Sequence, residues 1–195
     1  MPTPGLPLQT DRLVLRAYRP DDLDGILGML GRADVARYLM WEPMDPDGAR
    51  AFLDRRLGQT RIEQEGEGLA LAVEERATGR YAGEVILRLI SEQHGQGEVG
   101  WVLHPDAQGR GYATEAAREM LRSGFADVGL HRIVAECDPR NDASVRVMER
   151  LGMRREALHL ESLFVKGEWV GSLVYAILAS EWRALESPSA PLARG

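Results

Sequence analysis

A glycine-containing loop that joins a strand directly to a helix is the feature of this sequence that most restricts its fold. The loop, Gln108 to Ala113, follows the strand-like segment Glu98–Leu103 and leads without a linker into Ala113–Val128, whose apolar residues recur at helical spacing. Gly129 then supplies a residue suited to a left-handed helix end. The loop is therefore predicted to lie where the end of a strand meets the N-terminus of a helix.

The segments around this loop are predicted to form further strands and helices of a single domain. In chain order they are a strand over Arg12–Tyr18, helices over Pro20–Leu30 and Asp34–Tyr38, an interruption at Trp41–Pro46, a helix from Asp47 towards Glu63, a hairpin of Leu69–Glu74 and Tyr81–Ile90, a strand over Arg132–Asp138, a helix over Asn141–Leu151, strands over Met153–Val165 and Trp169–Leu178, and a last helical turn with Trp182. A strand-rich middle followed by crossover helices predicts an α+β fold. Its sheet should be mixed, mostly antiparallel, of about seven strands and flanked by helices.

Length, charge and cysteine content narrow the class of protein further. At 195 residues the chain is long enough for one domain with a substantial core. Its net charge of -6 argues against a nucleic-acid binder that neutralises phosphates, and its apolar runs are too short to span a membrane. Met1 to Gly5 lacks the features of a signal peptide, and the single Cys137 fits a reducing compartment. We therefore expect a cytoplasmic protein, with residues from Ser187 to Pro191 as a mobile tail.

The two glycines of the loop suit the binding of an anion. Gly109 and Gly111 lack a Cβ, so the backbone can approach a phosphate closely, and the unpaired N–H groups of a helix N-terminus point towards it. A Walker loop needs a lysine that is absent here, and a dinucleotide-binding fingerprint needs a third glycine where Thr114 stands. A plain strand-to-helix turn without a ligand stays as the alternative.

Longer stretches of the sequence resemble the GNAT superfamily of acetyl-CoA-dependent N-acetyltransferases. They are Glu98–Pro105 with Gln108–Ala116, Asn141–Ser144 leading to Leu151–Met153, and the two ends Leu8–Arg16 and Tyr175–Leu178. Gln108, Gly111 and Ala113 match the family motif Gln/Arg-x-x-Gly-x-Gly/Ala. The two end segments are similar to the branch that acetylates ribosomal-protein N-termini at alanine or serine. The resemblance covers residues 8–183 as one GNAT domain and leaves residues 1–7 and 184–195 as flexible termini.

The resemblance implies a binding site for acetyl-CoA where the fourth and fifth predicted strands splay apart. Backbone groups of Val102 and Leu103 would pair with the pantetheine arm, Asn141 would bond to it, and Ser144 would lie near the thioester sulfur. The pyrophosphate would be held by the backbone amides of Gln108, Gly109, Arg110, Gly111, Tyr112, Ala113 and Thr114. Because a neutral amine attacks the thioester directly in this chemistry, neither a metal nor a covalent intermediate is expected, and Cys137 is interpreted as a core residue.

The resemblance also suggests residues that move protons and contact the acceptor. Glu98 occupies the position at which many GNAT enzymes carry a general base, and a solvated or ion-paired carboxylate is the alternative. Ser144 matches the serine that protonates the leaving thiolate in the ribosomal branch, but Leu163 stands where that branch has its catalytic glutamate. Glu161, expected on the same strand face as Leu163, is then a secondary base or a substrate contact. Trp41 either lines the acceptor groove or packs the joint between the early helices.

These observations predict an N-acetyltransferase that moves an acetyl group from acetyl-CoA to a primary amine, either a protein N-terminus or a small amine. A catalytically silent acyl-CoA-binding sensor or interaction module of the same fold is the alternative, and dinucleotide binding is disfavoured by the missing glycine. The expected partner is an amine acceptor and neither a nucleic acid nor a membrane, and the acidic chain favours a cationic acceptor through electrostatic steering. Whether the protein forms a homodimer stays open.

Overall fold

The computed structural model describes residues 4–187, which contain eight strands and six α-helices. The strands are β1 (Leu8–Gln9), β2 (Leu13–Arg16), β3 (Gly68–Glu75), β4 (Tyr81–Ser91), β5 (Gln96–Leu103), β6 (Arg132–Cys137), β7 (Arg154–Val165) and β8 (Glu168–Leu178). The helices are α1 (Leu23–Leu30), α2 (Ala33–Ala36), α3 (Pro46–Leu57), α4 (Tyr112–Ser123, continued by a π-helical turn over Gly124–Val128), α5 (Asp142–Arg150) and α6 (Ala179–Glu186). Apart from Ser187, the predicted mobile tail lies outside the described residues. Among those residues no helix is long and apolar enough to cross a bilayer.

The strands form a single sheet in the order β1-β2-β3-β4-β5-β6-β8-β7. Every neighbouring pair is antiparallel except β5 and β6, which run parallel because α4 carries the chain back between them. This architecture confirms the predicted α+β fold and its mostly antiparallel sheet. The additional strand is β1, whose Leu8 pairs with Leu15 of β2. A strand of two residues carries no periodicity from which it could be predicted.

Two helices are shorter than the sequence predicted. α3 ends at Leu57 rather than near Glu63, because Gly58 is a poor helix former and the chain turns there towards β3. α2 stops at Ala36, so residues 37–45, including Trp41, form an irregular segment beside the sheet. At the other end, α6 continues to Glu186, past the predicted domain boundary at residue 183.

Apolar side chains cover both faces of the sheet. In β3, Leu69, Leu71 and Val73 face the larger core cluster, which includes residues of α4 and α5. Ala70 and Ala72 face the smaller cluster, which is formed with α1 and α3. Burial of each leucine or valine side chain contributes roughly 1.5–3 kcal/mol to the free energy of folding. The central strands are therefore stabilised by packing on both faces.

The parallel strands β5 and β6 separate part-way along their length. Their pairing comprises three residue pairs, the last of which joins Glu98 to Val134. β5 continues beside β4 as far as Leu103, so beyond Glu98 the edge of β5 that faces β6 has no strand partner among the described residues. Gly83, in β4, permits the close pairing of β4 with β5, because a Cβ at this position would lie 2.3 Å from the Val102 carbonyl oxygen. The separation coincides with the predicted splay of the sheet.

Candidate active site

The split between β5 and β6 is bordered by the N-termini of two helices. α4 begins shortly after β5 and α5 shortly after β6, and because these strands are parallel, both helix starts lie at the same end of the split. A helix N-terminus carries free N–H groups and a partial positive charge, which favour an anionic ligand. The open edge of β5 adds backbone donors and acceptors that suit an extended, amide-containing ligand.

The glycine loop presents consecutive backbone N–H groups at the start of α4. Gly109 and Gly111 adopt left-handed conformations, with φ of 74° and 80°, and a Cβ on Gly109 would meet no atom within 4 Å. Within residues 4–187 the amides from Gly109 to Thr114 have no hydrogen-bond acceptor. The amide of Gln108, by contrast, donates to the Pro105 carbonyl oxygen at 3.1 Å. The amides available to a ligand therefore start at Gly109, one residue later than predicted.

Side chains from distant segments hold this loop in place. The Arg12 guanidinium donates to the Arg110 carbonyl oxygen at 2.9 Å and to Glu115 Oε2 at 2.7 Å, and its carbon lies 4.9 Å from the Tyr112 ring centroid. The Tyr112 hydroxyl donates to Glu75 Oε1 at 2.6 Å. No local pattern links Arg12 and Glu115 to each other, so neither was predicted to support the loop. Their contacts fix the Arg110 carbonyl, so the loop keeps its N–H groups together as donors.

The predicted second segment lies at the start of α5. Asn141 caps this helix, because its Oδ1 accepts a hydrogen bond from the Ser144 amide at 3.1 Å. Ser144 is half-buried, and no described residue bonds to its hydroxyl. Serines in the first turn of a helix commonly bond the helix backbone, but the Ser144 hydroxyl does not. It is therefore available to a ligand. At the end of β5, Gln108 Nε2 donates to the Leu103 carbonyl oxygen at 3.1 Å and orders the strand beside the loop.

A cavity of about 630 Å³ extends from the split towards α2 and the β7–β8 turn. Of the residues singled out from the sequence, Trp41, Glu98, Val102 and Ser144 line it. Trp41 belongs to the irregular segment after α2, and its Nε1 is buried without a partner among the described residues. The structure therefore brings the open end of β5, the free serine hydroxyl and the aromatic wall into one space, whose volume suits a small molecule.

Glu161 does not line this cavity. Between the pairs His159–Ser172 and Leu163–Val170, β7 advances by four residues while β8 advances by two. Glu161 lies in the resulting bulge, exposed and with φ of 45°. The prediction that it shares a strand face with Leu163 is wrong, because a bulge breaks the two-residue alternation on which the prediction rests.

Glu98 faces the cavity as one member of an ion pair. Its Oε2 bonds to the Arg88 guanidinium directly across β4 and β5, and its side chain is 26% exposed. No described residue bonds to its Oε1, which leaves one carboxylate oxygen open towards the cavity. Glu98 is therefore ion-paired, as one of the two alternatives predicted, and its role as a base stays a prediction.

A buried carboxylate in the cavity wall was missed in the sequence. Arg56 donates to both oxygens of Glu84 at 2.6 and 2.7 Å, and the Tyr18 hydroxyl donates to Oε2 at 2.7 Å. Burial, together with the charge of Glu84, raises the pKa of both Tyr18 and Tyr81 well above the usual range, so both phenols stay neutral. The available signal was a glutamate inside the mostly apolar segment Tyr81–Ile90.

Cys137 also lines the cavity, and it packs against the larger core cluster. Burial, with a smaller effect of the Asp138 charge, raises the pKa of its thiol to about 11. The thiol is therefore protonated near neutral pH and is a poor nucleophile. This agrees with the interpretation of Cys137 as a packing residue.

Comparison with known proteins places this site in a family. A model of the acetyltransferase (GNAT) domain matches residues 12–154. A protein of Bacillus subtilis (strain 168), named as the uncharacterized N-acetyltransferase YnaD, is 31% identical over 175 residues, which are 90% of this chain and 98% of that protein. The spermidine N(1)-acetyltransferase of Escherichia coli (strain K12) is 26% identical over 171 residues, which cover 87% of this chain and 88% of the relative.

A solved structure supports the same relationship. The crystal structure of the acetyltransferase (GNAT family) from Bacillus anthracis has a TM-score of 0.81 and 29% identity, and it covers 90% of this chain and 100% of that one. The family match spans the glycine loop, both strands of the split and the whole of α5. This chain belongs to the GNAT family of acetyltransferases.

Proposed function

We propose that this acetyltransferase moves the acetyl group of acetyl-CoA to a primary amine by direct attack, without a covalent enzyme intermediate. The observation that supports this most is the juxtaposition of two sets of free backbone groups. The edge of β5 is open beyond Glu98, and it leads towards the unpaired amides from Gly109 to Thr114. An extended amide chain that ends in a pyrophosphate has the shape and the hydrogen-bonding groups to match both.

In this proposal acetyl-CoA lies along the split. The open edge of β5 at Val102 and Leu103 pairs with the pantetheine arm through the backbone groups that β4 and Gln108 leave free, and the loop amides bind the pyrophosphate. Asn141 contributes its amide nitrogen, since only its oxygen is used to cap α5. Hydrogen bonds to a charged group contribute about 1.5–3 kcal/mol each, so several loop amides together can hold the pyrophosphate without a basic protein.

The residues at the cavity end of the split supply the proton transfers. Glu98 takes a proton from the acceptor ammonium through its open Oε1, directly or through a water molecule. The neutral nitrogen then attacks the thioester carbonyl carbon, and a free N–H on the β5 edge stabilises the developing oxyanion. As the C–N bond forms, the C–S bond breaks, and Ser144 donates a proton to the leaving thiolate. The new amide nitrogen loses its extra proton, which restores the Ser144 hydroxyl directly or through a water molecule. Glu161 receives no role here, because it is exposed and lies outside the cavity.

The acceptor in this proposal is a primary amine that enters beside Trp41. A protein N-terminus would suit the ribosomal branch that the sequence resembles, and spermidine is the acceptor named for one relative. The cytoplasmic location and the lack of nucleic-acid or membrane partners stay predictions, and the homodimer stays open.

Thiol release from acetyl-CoA, measured with a panel of N-terminal peptides and small amines, tests the proposal. We expect amine-dependent release that matches the amount of N-acetylated product detected by mass spectrometry. Acetyl-CoA binding in calorimetry without release above background for any acceptor would instead support the sensor alternative.

A further inference from the structure

The charged residues of the cavity form a set with no net charge. The five acidic residues are Glu84, Glu98, Glu136, Asp138 and Glu168, and the five basic residues are Arg37, Arg56, Arg88, Arg140 and Lys166. The net charge of -6 of the whole chain is therefore not concentrated here. A polyamine with several positive charges needs an excess of carboxylates around it, which this cavity does not supply.

Seven of these ten groups form ion pairs with one another, four carboxylates with three guanidinium groups, because Arg140 is shared by two carboxylates. The pairs are Glu84 with Arg56 at 2.6 Å, Glu98 with Arg88, and Arg140 with both Asp138 at 2.6 Å and Glu168 at 3.0 Å. Three groups form no ion pair within 4 Å in the described part of the chain: Glu136, Arg37 and Lys166. Arg37 acts on Asp138 from a longer distance, since the pKa of that carboxyl is lowered mainly by Arg140 and also by the charge of Arg37. Glu136, Arg37 and Lys166 are therefore the charged groups with hydrogen-bonding capacity left for a ligand.

Glu136 lies on the side of the cavity where the acetyl group would be transferred. Val134 is the last residue of β6 that pairs with β5, and Glu136 follows it by two positions. Because side chains alternate along a strand, Glu136 projects on the same face as Val134, beyond the point where the strands separate. Its Oε2 accepts a hydrogen bond from the buried Ser172 hydroxyl at 2.9 Å. This bond orients the carboxylate and leaves Oε1 for a positively charged ligand.

Arg37 and Lys166 lie together in another part of the cavity wall. Lys166, in the β7–β8 turn, donates to the carbonyl oxygen of Ala36, the residue that precedes Arg37. The Arg37 guanidinium lies 5.1 Å from the Tyr38 ring centroid, and its side chain is exposed to the cavity. The bond holds the Lys166 ammonium beside the backbone of the residue before Arg37, so both cations belong to the same part of the cavity wall, and a carboxylate is the group that matches them.

We infer that the acceptor is a small molecule that carries both a primary amine and a carboxylate, as an α-amino acid does. Glu136 binds the amine near Ser144, and Arg37 with Lys166 binds the carboxylate. This assignment rests on the proposed acetyl transfer and narrows its acceptor. It also corrects the preference for a simple cation that the overall charge of the chain suggested, because the local charges rather than the net charge meet the ligand.

Paired acceptors that differ in one charge test this inference. Thiol release from acetyl-CoA is measured with several L-amino acids, with the matching L-amino-acid amides, and with spermidine. We expect kcat/KM for the acids to exceed that for the amides by about tenfold or more, as expected for one hydrogen bond between charged groups. Spermidine should be the poorest acceptor.

Variants then connect the preference to its residues. The double variant Arg37→Gln/Lys166→Gln should lose the acid-over-amide ratio, and Glu136→Gln should raise KM for the acids. Arg61→Gln is the matched control, because Arg61 is paired with Glu63 and does not line the cavity. Its ratio should equal that of the wild-type protein.

Equal or better use of amides or spermidine would overturn the inference, and so would a wild-type ratio in the double variant. If no acceptor gives thiol release, the proposed acetyl transfer fails instead. Saturation-transfer NMR with the wild-type protein then decides the acceptor class separately. Binding of the acids over their amides would uphold it, and equal or absent binding would reject it.

Discussion

The two halves of the active site are built in different ways. The donor half uses backbone: the open edge of β5 and the amides from Gly109 to Thr114, which need glycines and a helix start. The acceptor half uses side chains from the irregular segment after α2, from α3, β4 and β6, and from the β7–β8 hairpin, and its charges are mostly paired with one another. A site made of backbone groups keeps its ligand when side chains change, because the backbone groups are the same in every residue. A site made of side chains changes its ligand after a few substitutions. Substitutions in one half should therefore change the binding of one substrate and leave the other unaffected.

The largest effect should come from the donor half, with Gly111→Val. Valine at φ of 80° is strained, and its branched side chain would stand among the loop amides. We expect acetyl-CoA affinity in calorimetry to fall at least about 100-fold, which corresponds to about 2.7 kcal/mol.

Gly129→Val is its control, because Gly129 has φ of 81°, is exposed and lies beyond the far end of the same helix segment. It should bind acetyl-CoA like the wild-type protein. Wild-type affinity in Gly111→Val would remove the loop from the pyrophosphate site.

The next effect lies where the halves meet, at Ser144. Ser144→Ala should lower kcat about 100-fold, the low end of what general acid catalysis contributes, while acetyl-CoA affinity stays unchanged. Steady-state kinetics and calorimetry together check this. Ser162→Ala serves as control, since Ser162 is exposed in the β7 bulge and does not line the cavity. Unchanged kcat in Ser144→Ala would exclude the serine as the acid.

A smaller effect is expected for Glu98→Gln. A carboxamide cannot take a proton from the acceptor ammonium, so the variant should lose the contribution of this base. We expect kcat/KM at neutral pH to drop about tenfold, less than the roughly 100-fold or more typical of a general base, because bulk water replaces the carboxylate in part. Glu63→Gln, which also removes an ion-paired carboxylate, is the control. A kcat/KM equal to that of the wild-type protein would leave bulk water as the base.

The smallest effect concerns Cys137, which lines the cavity. Because its pKa is raised to about 11, the thiolate fraction and hence alkylation by iodoacetamide should rise about tenfold per pH unit between neutral pH and that value. Mass spectrometry of the labelled protein measures this rate. A rate that levels off near pH 8 would indicate an activated thiol and would contradict its role as a packing residue.

The donor half could be predicted from the sequence because its parts are local. A strand, two glycines and a helix start follow one another within residues 98 to 128, and Asn141 with Ser144 occupy one helix turn. Most strands were likewise predicted from the alternation of apolar residues. The two-residue β1 and the end of α3 were missed, since both depend on tertiary pairing more than on local pattern.

The acceptor half could not be predicted because its partners are distant in sequence. Ser172 meets Glu136 and Lys166 meets Ala36 only through the strand order of the folded sheet. The bulge that turns Glu161 away from the cavity has no signature in a segment that alternates regularly enough for a strand. Glu84 alone gave a usable signal, as a carboxylate within an apolar strand.

A crystal structure with bound CoA tests most directly the claim that the donor half is a backbone site. We expect pyrophosphate oxygens about 2.7–3.2 Å from amides between Gly109 and Thr114, with the pantetheine arm along β5 from Glu98 to Leu103. CoA bound elsewhere, or a pyrophosphate held by side chains away from the start of α4, would contradict the account.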